Sequence, residues 1–229
     1  MRWSGSTSIT RVASIAAAFW KLGAKSPSMF DLPDLLRQRL THRPSGARSE
    51  WEARPAAVLV PLYKQGDVWN VLFTRRTDSV EDHRGQVSFP GGLIEAHDKS
   101  PEQAALREAE EEIGIRAEDV QILGTMASFL TITQFIISPV VGTIPWPYNL
   151  RLNREEVAVV FGVPIEWLAD PGNLEIRQWQ PPIPSPSIPI HFFRPYEGEV
   201  IWGATARITL GLLELLREPD SREDSIPIL

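Results

Sequence analysis

Residues 106–115 read LREAEEEIGI. Successive residues of an α-helix advance by roughly 100°, so setting Glu108 at zero places Glu112 at roughly +40° and Glu111 at roughly −60°. Glu110 points away from this shared arc. Like charges at i, i+4 destabilise a helix by roughly 0.2–0.5 kcal/mol, and a cation bound between them would remove the repulsion. The pattern therefore predicts a helix with either a metal-binding face or a solvated acidic face.

The sequence around these acids favours the metal-binding interpretation. We predict the helix from about Pro101 to Ile113, and Gly114 ends it because glycine accepts the left-handed conformation of a C-cap. Upstream, Pro90-Gly91-Gly92 follows a short predicted strand at 87–89. Glycine allows a backbone to approach a ligand closely, and a carbonyl there can join the oxygen shell of Mg²⁺.

Apolar runs separated by turn residues predict strands on both sides of this helix. The predicted strands are residues 56–62, 68–74, 87–89, 120–127, 135–144 and 156–163, with a hairpin of 191–194 and 200–202 near the end. Further helices are predicted at 31–40, capped by Asp31, for one turn at 164–168, and at 205–216, capped by Thr205. Together these elements predict an α/β (α+β) fold, a mixed β-sheet between helices, with an extra N-terminal helix and a closing C-terminal helix.

The chain divides into four segments by composition. Residues 1–30 contain no acid but several basic and Ser residues, which indicates either a disordered extension or an organellar targeting segment. Residues 31–53 form a helix and a polar linker, residues 54–218 the compact domain, and residues 219–229 a tail. We expect a cytoplasmic protein, or a mitochondrial or peroxisomal one if the extension is a targeting segment.

Composition excludes several functional classes. The chain has no Cys, so thiolate nucleophiles and Cys-ligated zinc are impossible, and any metal site must rely on carboxylates. Carboxylates select hard cations such as Mg²⁺ or Mn²⁺. The net charge of −6 disfavours binding to a nucleic acid polymer. No apolar run approaches the roughly 20 residues of a membrane span.

The acidic segment resembles the Nudix box, G-x5-E-x7-R-E-U-x-E-E-x-G-U, in which U is aliphatic. The matching residues are Gly92, Arg107, Glu108, Ala109, Glu111, Glu112, Gly114 and Ile115. Asp98 replaces the first Glu of the box, and eight residues instead of seven separate it from Arg107. These two departures resemble the coenzyme A pyrophosphatase branch of the family.

A second motif of that branch is approximately L-L-T-x-R-[SA]-x3-R-x3-G-x3-F-P-G-G. The residues that match it are Leu72, Thr74, Arg76, Gly85, Phe89, Pro90, Gly91 and Gly92. Phe73 and Thr77 depart from it, and Glu81 stands where the motif has Arg. Residues 138–142, 156–157 and 201–207 also look like this branch.

The resemblance implies a metal-dependent diphosphatase with the following residue roles. Glu108, Glu111, Glu112 and the Gly91 carbonyl would bind Mg²⁺ or Mn²⁺, while Arg107 would orient the carboxylates. Arg76, Arg84 and Gly92 would contact the substrate, with His83 as an alternative to Arg84. Asp98, Gly85, Phe89, Pro90 and Gly114 would frame the site. Glu111 is the preferred general base, and a loop carboxylate, Glu155 or Glu156, is the alternative.

Three functions follow from this resemblance. The first is hydrolysis of coenzyme A or acyl-CoA to 3′,5′-ADP and a 4′-phosphopantetheine product. The second is hydrolysis of ADP-ribose, NADH or another nucleoside diphosphate derivative, which Glu81 favours. The third is a non-catalytic nucleotide-binding module, disfavoured because all three helix acids are present. The expected partner is a small nucleotide substrate, and a homodimer stays open.

Overall fold

The structure, a computed structural model, describes residues 32–40, 53–78, 85–180 and 187–217. Within these ranges the helices are α1 (Leu32–Arg39), α2 (Pro101–Ile113), α3 (Ile165–Ala169) and α4 (Gly203–Leu216). The strands are β1 (Arg54–Gln65), β2 (Val68–Arg76), β3 (Val87–Ser88), β4 (Gly91–Leu93), β5 (Gln121–Thr125), β6 (Phe129–Leu130), β7 (Phe135–Thr143), β8 (Val157–Pro164), β9 (Leu174–Trp179) and β10 (Ile188–Phe193). The predictions for residues 1–30, for the Asp31 cap and for the tail 219–229 lie outside the described residues.

In the described part of the chain, β1 lies at the centre of an eight-stranded sheet. It pairs in parallel with β7 and antiparallel with β2 and β4. β5 and β6 pair with β7, while β3 and β8 pair with β2. β1 is apolar on both faces, as expected for a strand that is covered on two sides. The predicted mixed sheet is confirmed.

Helices cover both faces of this sheet. α2 lies on one face, where Ala104, Ala105 and Ala109 are completely buried in a cluster with Ala57 of β1. These small side chains let the helix approach the sheet closely, which brings its acidic residues next to β4. α1 and α4 cover the other face, and the Arg39 guanidinium donates to carbonyl groups at the end of α4. None of the helices within the described ranges is long and apolar enough to cross a membrane.

The predicted limits of α2 are confirmed. The Ser100 hydroxyl accepts a hydrogen bond from the Gln103 N–H at 3.3 Å, and Pro101 occupies the first turn. At the other end, Gly114 has a φ of 72°, and its N–H donates to the carbonyls of Ala109 and Glu110. Both ends are thus determined by local sequence. Because the ends are fixed, the sequence predicts correctly which acidic residues lie on the same face of the helix.

The predicted hairpin of residues 191–194 with 200–202 is present as isolated antiparallel bridges, with a hydrogen bond from the Phe193 N–H to the Ile201 carbonyl at 2.8 Å. β10 forms its longer ladder with β9, from Ile188 opposite Trp179 to Phe193 opposite Leu174, and this pair is a second sheet that the sequence does not predict. The bridges of the hairpin join Phe192 to Trp202 and Tyr196 to Glu199. Residues 174–179 read LEIRQW, and their exposed, mixed composition carries no strong strand signal. The short β6 is likewise a strand of its own, whereas the sequence predicts only the strand that precedes it.

Thr205 does not cap α4, contrary to the prediction. The helix begins at Gly203, after Trp202 in extended conformation. The Thr205 hydroxyl instead donates to the Val87 carbonyl of β3 at 3.0 Å. Because this acceptor comes from a distant part of the chain, the local sequence cannot reveal it.

Candidate active site

Glu112 occupies the last turn of α2 and is almost completely buried, with 3% of its surface exposed. Its carboxylate accepts a hydrogen bond from the Gly91 N–H, and Arg76 Nη1 lies 3.9 Å from its Oε1. The pKa of Glu112 is raised to about 8, mainly by burial; Arg76 opposes this rise, and the charges of Glu108 and Glu156 contribute to it. A cation bound here would relieve this unfavourable concentration of negative charge.

Glu108 lies one turn earlier on α2 and packs against the bend formed by Pro90, Gly91 and Gly92, called the glycine bend below. A Cβ built on Gly92 would lie 2.5 Å from Glu108 Oε1, which is closer than non-bonded atoms approach. Burial raises the pKa of Glu108 above its ordinary value. The neighbouring Gly91 packs against β1, where a Cβ would lie 2.7 Å from the Val58 Cα. The two glycines therefore let β4 fit between the acidic helix and the central strand.

Arg107 connects the acidic helix to the loop that precedes it. Its Nε and Nη2 donate to the two oxygens of Asp98 at 3.3 and 3.0 Å. Its Nη1 donates to Glu108 at 2.8 Å and to Glu111 at 3.3 Å, and Nη2 also donates to the Leu93 carbonyl at 3.1 Å. The Asp98 side chain has no exposed surface, and its bond to Arg107 holds its pKa below the ordinary range. One guanidinium thus fixes three carboxylates and the end of β4.

Arg107→Lys is expected to lower kcat by about 30-fold with a smaller change in KM, since groups that orient metal-binding residues contribute on this scale. A single ammonium cannot bind Asp98 through two parallel hydrogen bonds and also reach the two glutamates. Arg116→Lys is the matched control, because Arg116 makes the same two-bonded contact with Asp119 outside the site. Steady-state kinetics of both variants tests this prediction, and equal losses in the two would contradict it.

The last two residues of β2 contact different parts of the structure. Arg75 Nε lies 3.0 Å from a carboxylate oxygen of Glu199, whereas Arg76 lies beside Glu112. The register between β2 and β8 shifts at this point. Arg76 Nε is buried and has no hydrogen-bond partner among the described residues. Arg76 therefore reaches the carboxylates with hydrogen-bonding capacity left for an anionic ligand.

Glu156 reaches the same carboxylates from the loop before β8. Its charge raises the pKa of both Glu108 and Glu112, whereas its neighbour Glu155 is exposed. Asn153 Nδ2 donates to Glu156 Oε1 at 3.0 Å, and the Asn153 N–H donates to the Glu112 carbonyl at 2.8 Å. The sequence does not reveal the role of Asn153, because its contact with Glu112 joins the loop to a helix far away in the chain.

The residue types around Glu112 fit a hard divalent cation, which prefers carboxylate and carbonyl oxygens. Across the described ranges, however, no three His, Asp or Glu side chains converge closely enough to enclose a metal ion. Glu111 is bound by Arg107 and 58% of its side chain is exposed, while Glu156 is bound by Asn153. The oxygen atoms around Glu112 are therefore of the kind that a divalent metal ion prefers. The side chains of Glu111 and Glu156 are held by hydrogen bonds to Arg107 and Asn153.

The remaining predicted motif residues surround the bend. Phe89 is buried, the Pro90 carbonyl accepts a hydrogen bond from β1 at 2.9 Å, and Gly85 has a left-handed φ of 63°. Arg84, with the preceding residues 81–83, lies outside the described residues. Its predicted contact with a phosphate therefore stays a prediction.

Comparison with known proteins identifies relatives over most of the chain. The family model for the NUDIX domain matches residues 53–182, which is more than half of the 229 residues. Nudix hydrolase NudL of Enterobacter sp. (strain 638), described as uncharacterized, is 40% identical over 134 residues, covering 58% of this chain and 69% of the relative. The NudL of Pectobacterium atrosepticum is 33% identical over 187 residues, covering 80% and 93%. A crystal structure of the Nudix hydrolase RenU from M. smegmatis is 28% identical, covers 52% of this chain and 76% of that chain, and has a TM-score of 0.44.

The matched region contains α2 with its acids, the glycine bend and the loop of Glu156. The Pectobacterium relative aligns over nearly its whole length, so the similarity is not confined to one short motif. The chain therefore belongs to the Nudix family of hydrolases, which act on nucleoside diphosphate derivatives.

Proposed function

We propose that this Nudix hydrolase cleaves the diphosphate of coenzyme A or acyl-CoA, giving 3′,5′-ADP and a 4′-phosphopantetheine product. The position of Arg76 beside Glu112 is the observation that carries the proposal. Arg76 belongs to the motif at 72–92 that resembles the coenzyme A pyrophosphatase branch, whereas Glu112 belongs to the acidic helix. One residue from the motif at 72–92 and one from the acidic helix therefore lie next to each other.

The proposed chemistry is attack of water on one phosphorus of the diphosphate and cleavage of its bond to the bridging oxygen. Mg²⁺ or Mn²⁺ held by Glu108, Glu111, Glu112 and the Gly91 carbonyl would neutralise phosphate charge and lower the pKa of a bound water. Arg76 binds a phosphate oxygen through its guanidinium. The absence of side chains at Gly91 and Gly92 lets this bend lie against β1 and the Glu108 carboxylate.

Glu156 is the proposed acceptor of the proton from the attacking water, with Glu111 as the second candidate. A general base must come within roughly 3 Å of the water that it deprotonates. Glu156 borders Glu108 and Glu112, which supports its role. Glu111 is held by Arg107 and is mostly exposed, which makes it the weaker base candidate although the sequence favours it.

The stability of the protein without added metal is expected to fall as pH rises. The pKa of Glu112 in the folded chain is about 8, above its ordinary value of 4.5. The folded state therefore binds the proton more tightly than the unfolded state, and this contribution is lost between these two pH values. Mn²⁺ competes with the proton, so the stabilisation by Mn²⁺ is expected to grow across the same range.

Thermal unfolding with and without Mn²⁺, measured from about pH 5 to about pH 9, tests this expectation. Glu112→Gln is the control, because a glutamine has no proton to lose and its stability should vary less with pH. Stabilisation by Mn²⁺ that is constant over the range would contradict the prediction.

A second substrate class keeps the same chemistry. Glu81 stands where the branch motif has Arg, and a carboxylate there favours a substrate with fewer phosphates, such as ADP-ribose or NADH. A panel of coenzyme A, acyl-CoA, ADP-ribose, NADH and nucleoside triphosphates, assayed with Mg²⁺ and with Mn²⁺, separates these classes. Indifference to both CoA substrates alongside turnover of another member would overturn the coenzyme A proposal, and product analysis in ¹⁸O water identifies the phosphorus attacked.

A further inference from the structure

The loop between β7 and β8 is bound to the last turn of the acidic helix by the N–H groups of Arg151 and Asn153, and of these two residues Asn153 also contacts Glu156. The Asn153 N–H donates to the Glu112 carbonyl at 2.8 Å, and its own carbonyl accepts from the N–H groups of Glu156 and Val157 at 3.1 and 2.8 Å. Its side-chain oxygen accepts from the Glu155 N–H at 3.2 Å, and its side-chain nitrogen donates to Glu156 Oε1 at 3.0 Å. Asn153 thus bonds with every one of its polar groups.

Glu156 needs such a partner because of the charges beside it. Glu108 and Glu112 repel a third carboxylate, and the Glu156 side chain is half-buried, with solvent within reach. Without a donor, rotation toward water would separate it from the other two acids. A carboxamide N–H holds the carboxylate in place and adds no positive charge, unlike the guanidinium of Arg107. The negative charge of Glu156 therefore stays available to a cation or a proton.

We propose that Asn153 is a positioning residue that acts through Glu156, which rests on the proposed hydrolytic function. Its backbone, together with that of Arg151, sets the distance between the loop and the last turn of α2. Its side-chain nitrogen then selects the rotamer of Glu156 that faces Glu108 and Glu112. Substrate binding does not involve Asn153 directly, so its loss should affect kcat and leave KM nearly unchanged.

A double-mutant cycle with Asn153→Asp and Glu156→Gln tests the proposal. Aspartate keeps the shape of Asn153, its backbone bonds and the acceptor for Glu155, but it replaces the donor to Glu156 with a carboxylate that repels Glu156. We expect Asn153→Asp to lower kcat by about 10-fold in the wild-type background, on the scale of other groups that orient site residues. In the Glu156→Gln background it should cost less than about twofold, because the new carboxamide at position 156 supplies the donor and the new carboxylate at position 153 accepts it.

The matched control is Asp170→Asn, since Asp170 accepts from the Gly172 N–H at 2.8 Å in a similar turn away from the carboxylates. It should retain wild-type kcat. Additive losses in the cycle, or full activity of Asn153→Asp, would overturn the role of Asn153 while leaving the proposed function standing. A wild-type protein that cleaves no diphosphate of the panel would overturn both. Thermal unfolding of each variant shows whether a loss of kcat comes with a loss of the fold.

Discussion

Glu112→Gln is expected to lower kcat for diphosphate hydrolysis by about 10³-fold or more, equivalent to about 4 kcal/mol of transition-state stabilisation. Glu112 is the most deeply buried acidic residue of α2 and lies between Glu108, Glu156 and Arg76. Glutamine has nearly the same shape but carries no charge with which to hold a divalent cation. Initial rates at saturating substrate, over a series of Mg²⁺ and Mn²⁺ concentrations, measure the loss.

The same variant is expected to fold at least as well as the wild type when no metal is added. A glutamine still accepts the Gly91 N–H, and no buried charge has to be desolvated. Glu110→Gln is the control. Glu110 lies two positions before Glu112 on the same helix and is exposed, so this variant should keep its activity. If Glu112→Gln retained more than about a tenth of the rate, Glu112 would not belong to the mechanism.

The acidic helix could be predicted closely because its signals are local. Ser100, Pro101 and Gly114 define its ends through contacts with residues a few positions away. Once the ends are known, helical geometry alone places Glu108 and Glu112 on one face. The central strands could also be predicted, since β1 and β2 are long apolar runs joined by a tight turn. The structure extends both strands by a few residues, which the sheet neighbours stabilise.

The elements for which the sequence prediction is wrong depend on contacts between distant residues. β9 is mostly exposed and mixes apolar with polar residues, and its pairing with β10 is supported by contacts such as Arg177 over the Phe192 ring at 4.3 Å. Thr205 has the sequence position of a helix cap, yet its hydroxyl binds the Val87 carbonyl. Neither contact leaves a periodic pattern in the sequence. Both become visible only when the sheet and α4 are assembled.

In the candidate site, too, contacts between residues close in the chain could be predicted, whereas contacts that depend on the folding of a loop could not. Spacing at i, i+4 predicts a contact between Arg107 and Glu111, and the two are 3.3 Å apart. The stronger attachment of Arg107, to both oxygens of Asp98, depends on the loop between β4 and α2 folding back. The side chain of Asn153 makes local contacts with Glu155 and Glu156, whereas its backbone contact with the Glu112 carbonyl leaves no pattern in the sequence. The roles of these residues in hydrolysis stay predictions that the variants above test.

The two glycines of the bend differ in what surrounds them. A Cβ on Gly91 would overlap the Ala57 carbonyl and lie 2.7 Å from the Val58 Cα, and this backbone belongs to the central strand. A Cβ on Gly92 would instead meet the carboxylate of Glu108, the far end of a flexible side chain. The backbone of β1 cannot move without disturbing the sheet, whereas Glu108 can rotate away.

Gly92→Ala is therefore expected to lower kcat on the order of 100-fold while leaving stability almost unchanged, because displacing a catalytic group by roughly 1 Å costs this much. Gly91→Ala is expected to lower the free energy of unfolding by about 1–3 kcal/mol, as overpacking against a rigid backbone does. Urea unfolding and initial rates, measured on both variants, separate the two effects. If Gly92→Ala kept its rate, the carboxylate of Glu108 would not need its present position, and if both variants unfolded equally easily, the contact with Glu108 would be as rigid as the contact with β1.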